Sequence, residues 1–300
     1  MRIGYVGLGV MGGALARRLL VSGPVQVFDL SPGAVQSLVA AGASAAPDLA
    51  TMGRECDVVL LCLPRSSNVR AALFGEGGLA EGLKPGAHVI DQTSGDPTET
   101  RAMAAELSAR GIHMIDAPVS GGAKGAEAGT IAIMAGGAAA HMAMVQPVFD
   151  RISPNLFHCG EIGAGQVMKL INNTISTCNR FAMLEGVAMG LRNGLDVAVM
   201  ADVLNAGGAR SKASEAMLPA LVNGVPDSFF YLNLMLKDLN LAAALASDSG
   251  VPLQFGQLAR GMLQAASNRL GPQANLFDIG DHVAEEAGTA FPERANSGQT

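Results

Sequence analysis

Lys169 and Asn173 stand four positions apart in the run Gly160-Glu161-Ile162-Gly163-Ala164-Gly165-Gln166-Val167-Met168-Lys169-Leu170-Ile171-Asn172-Asn173. The glycine-rich start of this run gives way to helical spacing, and on a helix residues four apart share a face. An ammonium on a mostly apolar helix bears a desolvation penalty that lowers its pKa. A lysine brought towards neutrality can exchange protons with an alcohol. From spacing alone the plainer reading, two polar groups on a solvated helix face, stays open.

A second set is Gly7-Leu8-Gly9-Val10-Met11-Gly12, which follows the strand-like run Ile3–Val6 and opens a helical stretch, 14–20. In that context Gly7 permits a tight turn, Gly9 lets backbone approach a pyrophosphate, and Gly12 lets helix and strand pack closely. The amides and positive end of the helix attract a diphosphate. Asp29 ends the second predicted strand, 20 positions after Gly9, where a carboxylate can accept both hydroxyls of a ribose and repel a 2′-phosphate. No Arg or Lys occurs in Leu30-Ser31-Pro32-Gly33-Ala34, so NAD is expected over NADP. The alternative for Asp29 is a helix N-cap, a role that Ser31 before Pro32 fills better.

A chain of 300 residues must supply the elements that position these groups, and its length suggests two domains. With 49% apolar and 15% charged residues it is expected to be globular. The net charge of −6, from 20 basic and 26 acidic side chains, argues against a nucleic-acid partner. No apolar stretch reaches the ~18 residues of a membrane span, and the first residues lack a signal-peptide pattern, so a cytoplasmic protein is expected. Cys56, Cys62, Cys159 and Cys178 lack C-x-x-C spacing and are expected to be buried reduced thiols. His113 and His141 stand isolated in the sequence and no His/Asp/Glu cluster has ligand spacing, so no catalytic metal is expected.

Strand-like runs at 3–6, 25–28, 57–63, 88–91, 113–116 and 130–134 alternate with helical stretches such as 14–20, 32–41 and 97–109. Repeated β-α-β alternation predicts an α/β fold, an N-terminal Rossmann-type doubly wound sheet followed by an all-α C-terminal domain. Strand signals end near residue 163, which sets expected domains at 1–163 and 164–287. A helix over 165–192, closed by Asn193-Gly194, would span roughly 42 Å at ~1.5 Å per residue and could serve as a wall shared by both. Further helices are expected at 196–205, 212–222, 229–248 and 255–268. The polar stretch 288–300 reads as a loose tail.

With these motifs in order, the chain resembles the β-hydroxyacid dehydrogenases, the group of 3-hydroxyisobutyrate, tartronate semialdehyde and related small-acid dehydrogenases. Besides Gly7–Gly12 and Gly160–Asn173, the resemblance rests on Asp116-Ala117-Pro118-Val119-Ser120-Gly121-Gly122 and Leu236-Lys237-Asp238-Leu239-Asn240-Leu241-Ala242. It implies that Lys169 is the proton donor or acceptor, that Asn173 orients the substrate, and that Ser120, Gly121 and Gly122 hold its carboxylate. A Ser hydroxyl with successive glycine amides is also an anion-binding concavity in its own right. Further cofactor contacts are implied for Leu63, Pro64, Asn68, Thr93, Ser94 and Lys237. The activity implied is hydride transfer between NAD and a small 3-hydroxy acid, in a homodimer or homotetramer.

Gln92-Thr93-Ser94-Gly95-Asp96, Asn179-Arg180 and Gly207-Gly208-Ala209-Arg210-Ser211-Lys212 depart from the family's commoner wording and leave the particular acid open. Arg180, about 16 Å along the helix from Lys169, reads as a structural or subunit-contact charge. A glyoxylate or semialdehyde reductase of the same family, and a catalytically silent NAD-binding module, stay as alternatives.

Overall fold

Nine short strands carry the first half of the chain: β1 (Ile3–Val6), β2 (Gln26–Phe28), β3 (Ser44–Ala45), β4 (Val58–Leu61), β5 (His88–Asp91), β6 (His113–Asp116), β7 (Val119–Ser120), β8 (Ala132–Gly136) and β9 (Leu156–Gly160). The computed structural model describes residues 1–226 and 229–291, and the chain divides into two units, Met1–Lys169 and the part from Leu170 onward. In the first unit, β1, β4 and β5 are buried along their whole length. Their apolar runs are what a sheet covered on both faces demands.

Parallel pairing runs in the order β3-β2-β1-β4-β5-β6, so the chain reverses its direction of travel between β1 and β4. That reversal is the switch point at which a doubly wound sheet receives ligands. β6 and β7 then pair antiparallel with β8 in one unbroken register, Asp116 opposite Gly136 and Ser120 opposite Ala132. β9, which sequence patterning missed, pairs parallel with β8. Its residues are half-exposed, so it lacks the apolar run that marked the central strands.

Helices α1 (Val10–Leu20), α2 (Pro32–Val39), α3 (Leu49–Glu55), α4 (Ser66–Phe74), α5 (Leu79–Gly82), α6 (Pro97–Ser108), α7 (Gly122–Ala128) and α8 (Ala139–Ile152) cover the sheet. Strand alternation sorts its side chains between two cores. Tyr5 and Leu60 pack with Leu15, Leu19 and Phe149, whereas Val6, Val59 and Leu61 pack with Met52, Met103 and Leu107.

The long helix α9 (Ala164–Arg192) starts in the first unit. It ends where Gly194, at φ +79, turns the chain: Gly194 N–H reaches Leu191 O and Leu195 N–H reaches Gly190 O. These two bonds form a Schellman motif and confirm the expected cap. α10 (Val197–Ala206), α11 (Leu218–Asn223), α12 (Leu232–Asp248), α13 (Gln254–Leu270) and α14 (Ile279–Glu286) complete the helical unit, packed around Phe181, Leu184, Leu218, Leu232, Leu263 and Phe277.

The helix expected over 212–222 is not continuous. A π-helical turn, Ala213–Met217, precedes α11 because Pro219 in its first turn has no N–H to continue the i to i−4 ladder. Of the segment 288–300, Gly288 and Thr289 cap α14 through Glu285 O and Ala284 O, and Phe291 is buried in the helical core. The loose tail was expected to start at 288, and residues 292–300 lie outside those described.

The cysteines form no disulfide, and only Cys56 is fully buried, against the expectation for all four. The histidines are not isolated in space. His113 stacks on His141 with ring centroids 3.6 Å apart, and His88 lies 5.1 Å from His113, because β5 and β6 pair with those two residues in register. Burial and its two neighbours push His88 down to about 4. Among the described residues no His, Cys, Asp and Glu group is arranged to hold a metal, and no helix is long and apolar enough to cross a membrane.

Candidate active site

The turn between β1 and α1 is built on three glycines with different tasks. Gly7 takes φ +90, and a side chain there would meet Cys62 O at 2.3 Å. At Gly12 a Cβ would stand 1.9 Å from Gly7 O, so only glycine lets helix and turn close. Gly9 faces open space, with nothing within 4 Å of a Cβ built on it. The fold therefore needs Gly7 and Gly12, while Gly9 leaves clear the approach to the first N–H groups of α1, which no side chain caps. Those groups have no acceptor within the helix. Leu8 is buried, Val10 is exposed and Met11 is half-buried at this opening.

Asp29 lies beside it, half-buried, and does more than face a ligand. Its Oδ2 accepts from Leu8 N–H at 2.6 Å and its Oδ1 from Ser31 N–H at 2.7 Å. It thus fixes the glycine turn and the exit from β2 together. Ser31, not Asp29, is the N-cap residue of α2. A carboxylate oxygen keeps a second lone pair for a hydroxyl donor. The glycine cradle, the uncapped helix end and this anion fit a dinucleotide.

Two loops beyond the switch point are tied to each other. Leu63 N–H donates to Thr93 Oγ1 at 2.9 Å, and Thr93 N–H to Asp91 Oδ1 at 3.0 Å. Beneath them Tyr5, fully buried, donates to Gln92 Oε1 at 2.7 Å, and burial pushes its phenol well above the usual range. Ser94 is half-buried, whereas Pro64 and Asn68 are exposed at the start of α4. Ser120 ends β7, and Gly121 at φ +140 and Gly122 at φ +70 turn the chain into α7. Both glycines hold positive-φ conformations that other residues rarely adopt.

Lys169 lies in the second turn of α9 and is 9% exposed. The helix start that carries it is held by Asp116, a residue the sequence reading quoted without giving it a role. Asp116 is fully buried at the end of β6; its Oδ1 accepts from Gly163 N–H and its Oδ2 from Gln166 N–H, each at 2.7 Å. Gly136 and Gly165 permit this approach, since a Cβ on the first would meet Asp116 Oδ1 at 2.5 Å and on the second Met134 O at 2.3 Å. Burial lifts the Asp116 carboxyl to about 6, although the two N–H groups and Arg101 act in the other direction.

In the helical unit, Asn173 is 4% exposed and donates from Nδ2 to Asp238 Oδ2 at 2.7 Å. Asn172 in turn donates to Asn173 Oδ1 at 3.1 Å. Lys237 has a side chain 10% exposed and an ion pair with Asp238 at 3.0 Å. Asp238 was passed over within its motif, and its signal was a carboxylate on the helix face that otherwise carries Leu232, Met235, Leu239 and Ala242.

Comparison with known proteins accords with this geometry. Residues 2–160 match the family model described as the NAD binding domain of 6-phosphogluconate dehydrogenase. Residues 163–279 match the NAD-binding domain of NADP-dependent 3-hydroxyisobutyrate dehydrogenase. The chain is 39% identical to an NAD-dependent L-serine dehydrogenase of Pseudomonas aeruginosa, over 86% of this chain and 89% of that one. It is 35% identical to a 2-(hydroxymethyl)glutarate dehydrogenase of Eubacterium barkeri, over 86% and 87%. Among solved structures, a 3-hydroxyisobutyrate dehydrogenase from Salmonella typhimurium superposes with a TM-score of 0.84 at 30% identity, covering 95% of this chain and 99% of that one. With both halves matched and the glycine turn, the capped α9 and the Lys-Asp pair in place, the chain belongs to the β-hydroxyacid dehydrogenase family.

Proposed function

We propose that the protein oxidises a small 3-hydroxy acid with NAD and catalyses the reverse reduction, with Lys169 as the proton-transfer group. The observation that carries this reading is a lysine drawn to 9% exposure on the same helix, one turn away, as an asparagine whose amide is fixed by a buried carboxylate. The compounds in the relatives' names support the substrate class. L-Serine and 2-(hydroxymethyl)glutarate each carry a hydroxyl on the carbon β to a carboxylate.

Bound NAD would accept or return the hydride at C4 of its nicotinamide ring. In oxidation, Lys169 Nζ takes the hydroxyl proton; in reduction its ammonium polarises the carbonyl and then protonates the alkoxide. Asn173 orients the substrate, and Ser120, Gly121 and Gly122 receive its carboxylate. Gly7 to Gly12 and Asp29 hold the adenosine and diphosphate part, with Leu63, Pro64, Asn68, Thr93, Ser94 and Lys237 as further cofactor contacts. The carboxylate at Asp29 favours NAD over NADP. Ile175, Met189, Phe255 and Leu258 are exposed apolar side chains of the helical unit, and a homo-oligomer, dimer or tetramer, accounts for them.

The test is NAD⁺ reduction across 3-hydroxyisobutyrate, serine, glycerate, threonate and longer 3-hydroxy acids, paired with Lys169→Ala. The variant is expected to lose about 10²–10⁴-fold in kcat while NADH fluorescence shows unchanged binding. Lys169→Arg should not rescue it, since a guanidinium with a pKa above about 12 cannot accept the proton. Binding of NADH without turnover of any acid would favour a silent module instead.

A further inference from the structure

Gln166 lies one turn before Lys169 on α9 and is fully buried. Its side chain is not needed to start the helix, because Asp116 already takes the N–H groups of Gly163 and Gln166. Instead both ends of its amide are spent on a loop more than seventy positions earlier. Oε1 accepts from Gly95 N–H at 2.8 Å, and Nε2 donates to Thr93 O at 2.7 Å.

The same Thr93 receives Leu63 N–H at its hydroxyl, so one connected set of hydrogen bonds runs from the loop after β4, through the loop after β5, into the first turn of α9. The fit is close: a Cβ on Gly95 would meet Ser66 Oγ at 2.6 Å. Few side chains can make this link. The group at 166 must accept on one side and donate on the other, which a carboxylate, a hydrocarbon or an ammonium of that length cannot do.

We infer that Gln166 is a positioning residue for the reaction, fixing the Thr93–Gly95 loop and the start of α9 relative to each other so that the carbon that gives up hydride and the hydroxyl that gives up its proton are both held in reach of their acceptors. The inference rests on the reading of Lys169 as the proton-transfer group and of the Thr93–Ser94 loop as a cofactor contact. Hydride and proton transfer tolerate little misplacement, and an error of about 1 Å can lower a rate about 10²-fold.

The experiment compares Gln166→Met, Gln166→Glu and Lys169→Ala in the full chain. Methionine keeps the length and breaks both hydrogen bonds, so kcat should fall about 10–100-fold. NADH affinity by fluorescence and KM for the acid should change less than about 3-fold, because neither ligand is bound by Gln166.

Glutamate can still accept from Gly95 N–H, but its ionised form sets an oxygen against Thr93 O, and only its protonated form donates. The ratio of Gln166→Glu to wild-type kcat should therefore rise as pH falls, a signature that loss of packing would not give. A wild-type kcat in Gln166→Met, or a Gln166→Glu ratio flat with pH, overturns the inference. If Gln166→Met does not fold, the pH ratio decides alone. Lys169→Ala separates the two claims: near-normal kcat there removes the lysine reading and this inference with it, whereas an inactive Lys169→Ala beside an unimpaired Gln166→Met removes this inference only.

Discussion

The Asn173 amide donates to Oδ2 of Asp238 across 2.7 Å, although 65 positions separate the two residues in the chain. The other oxygen of the same carboxylate faces the ammonium of Lys237 at 3.0 Å. One buried anion thus orients an amide and neutralises a lysine.

Asp238→Ala should for this reason unfold more easily than a surface substitution would suggest. Removing one partner of a buried ion pair costs about 3–5 kcal/mol, and the Lys237 side chain is only 10% exposed. The midpoint of urea unfolding measures it. A loss under about 1 kcal/mol, the size expected of a screened surface pair, would contradict the role given to this carboxylate.

Gly9 and Gly12 should answer alanine in opposite ways. Gly9→Ala meets open space at an ordinary φ of −62, so stability should stay within about 1 kcal/mol of wild type while NAD binding weakens. Gly12→Ala drives a methyl into Gly7 O and should lose about 1–3 kcal/mol or more. Thermal unfolding with and without NAD distinguishes them, and a Gly9→Ala protein that binds NAD normally would remove the diphosphate from this turn.

Asp29→Ala should weaken NAD by 10-fold or more, since hydrogen bonds to a charged group are worth about 1.5–3 kcal/mol each. The gap between NAD and NADP should narrow through loss of NAD affinity and not through gain of NADP, because Leu8 N–H loses its acceptor in the turn that both cofactors would use. Titration of each cofactor against the variant measures this. Unchanged preference would refute the assignment.

Asp116 should make stability depend on pH. Its folded carboxyl titrates near 6, above the ordinary 3.8, so the folded state favours the protonated form. The stabilisation tied to that proton is complete below about pH 4 and is lost as pH rises through 6, by about 3 kcal/mol at most. Asp116→Asn removes this dependence. Urea unfolding between pH 4 and pH 8 should therefore show wild-type stability falling relative to the variant as pH rises, and two parallel curves would disprove it.

What the sequence disclosed and what it hid follow from the range of the interactions. The work of Gly7, Gly9 and Gly12 is local, set by a turn of six residues, and the spacing alone reveals it. Among the parallel strands, β1 and β4 are legible because burial on both faces leaves an apolar run, whereas the exposed β3 and half-exposed β9 leave none. Asp116, Gln166 and Asp238 act on partners 47, 71 and 65 positions away, so nothing nearby in the sequence marks them. Each is a polar residue drawn inside the protein, Asp116 between the buried Ile115 and Ala117 and Asp238 beside the buried Leu239, which is a trace of a role without its partner. His88 and His113 met unannounced for a related reason, since only the register between β5 and β6 sets them side by side.

The boundary between the two units falls inside α9, after Lys169, and this bears on how such a protein could be recombined in evolution. A break at Gly163, where the glycines look like a seam, would strip Asp116 Oδ2 of the Gln166 N–H and leave Thr93 O and Gly95 N–H without the Gln166 amide. The hydrogen-bonded unit is therefore the sheet together with the opening turns of the helix that follows it. An exchange that respects hydrogen bonding would fall after Lys169, carrying the lysine with the nucleotide fold and leaving Asn173 to come with whichever helical half is acquired.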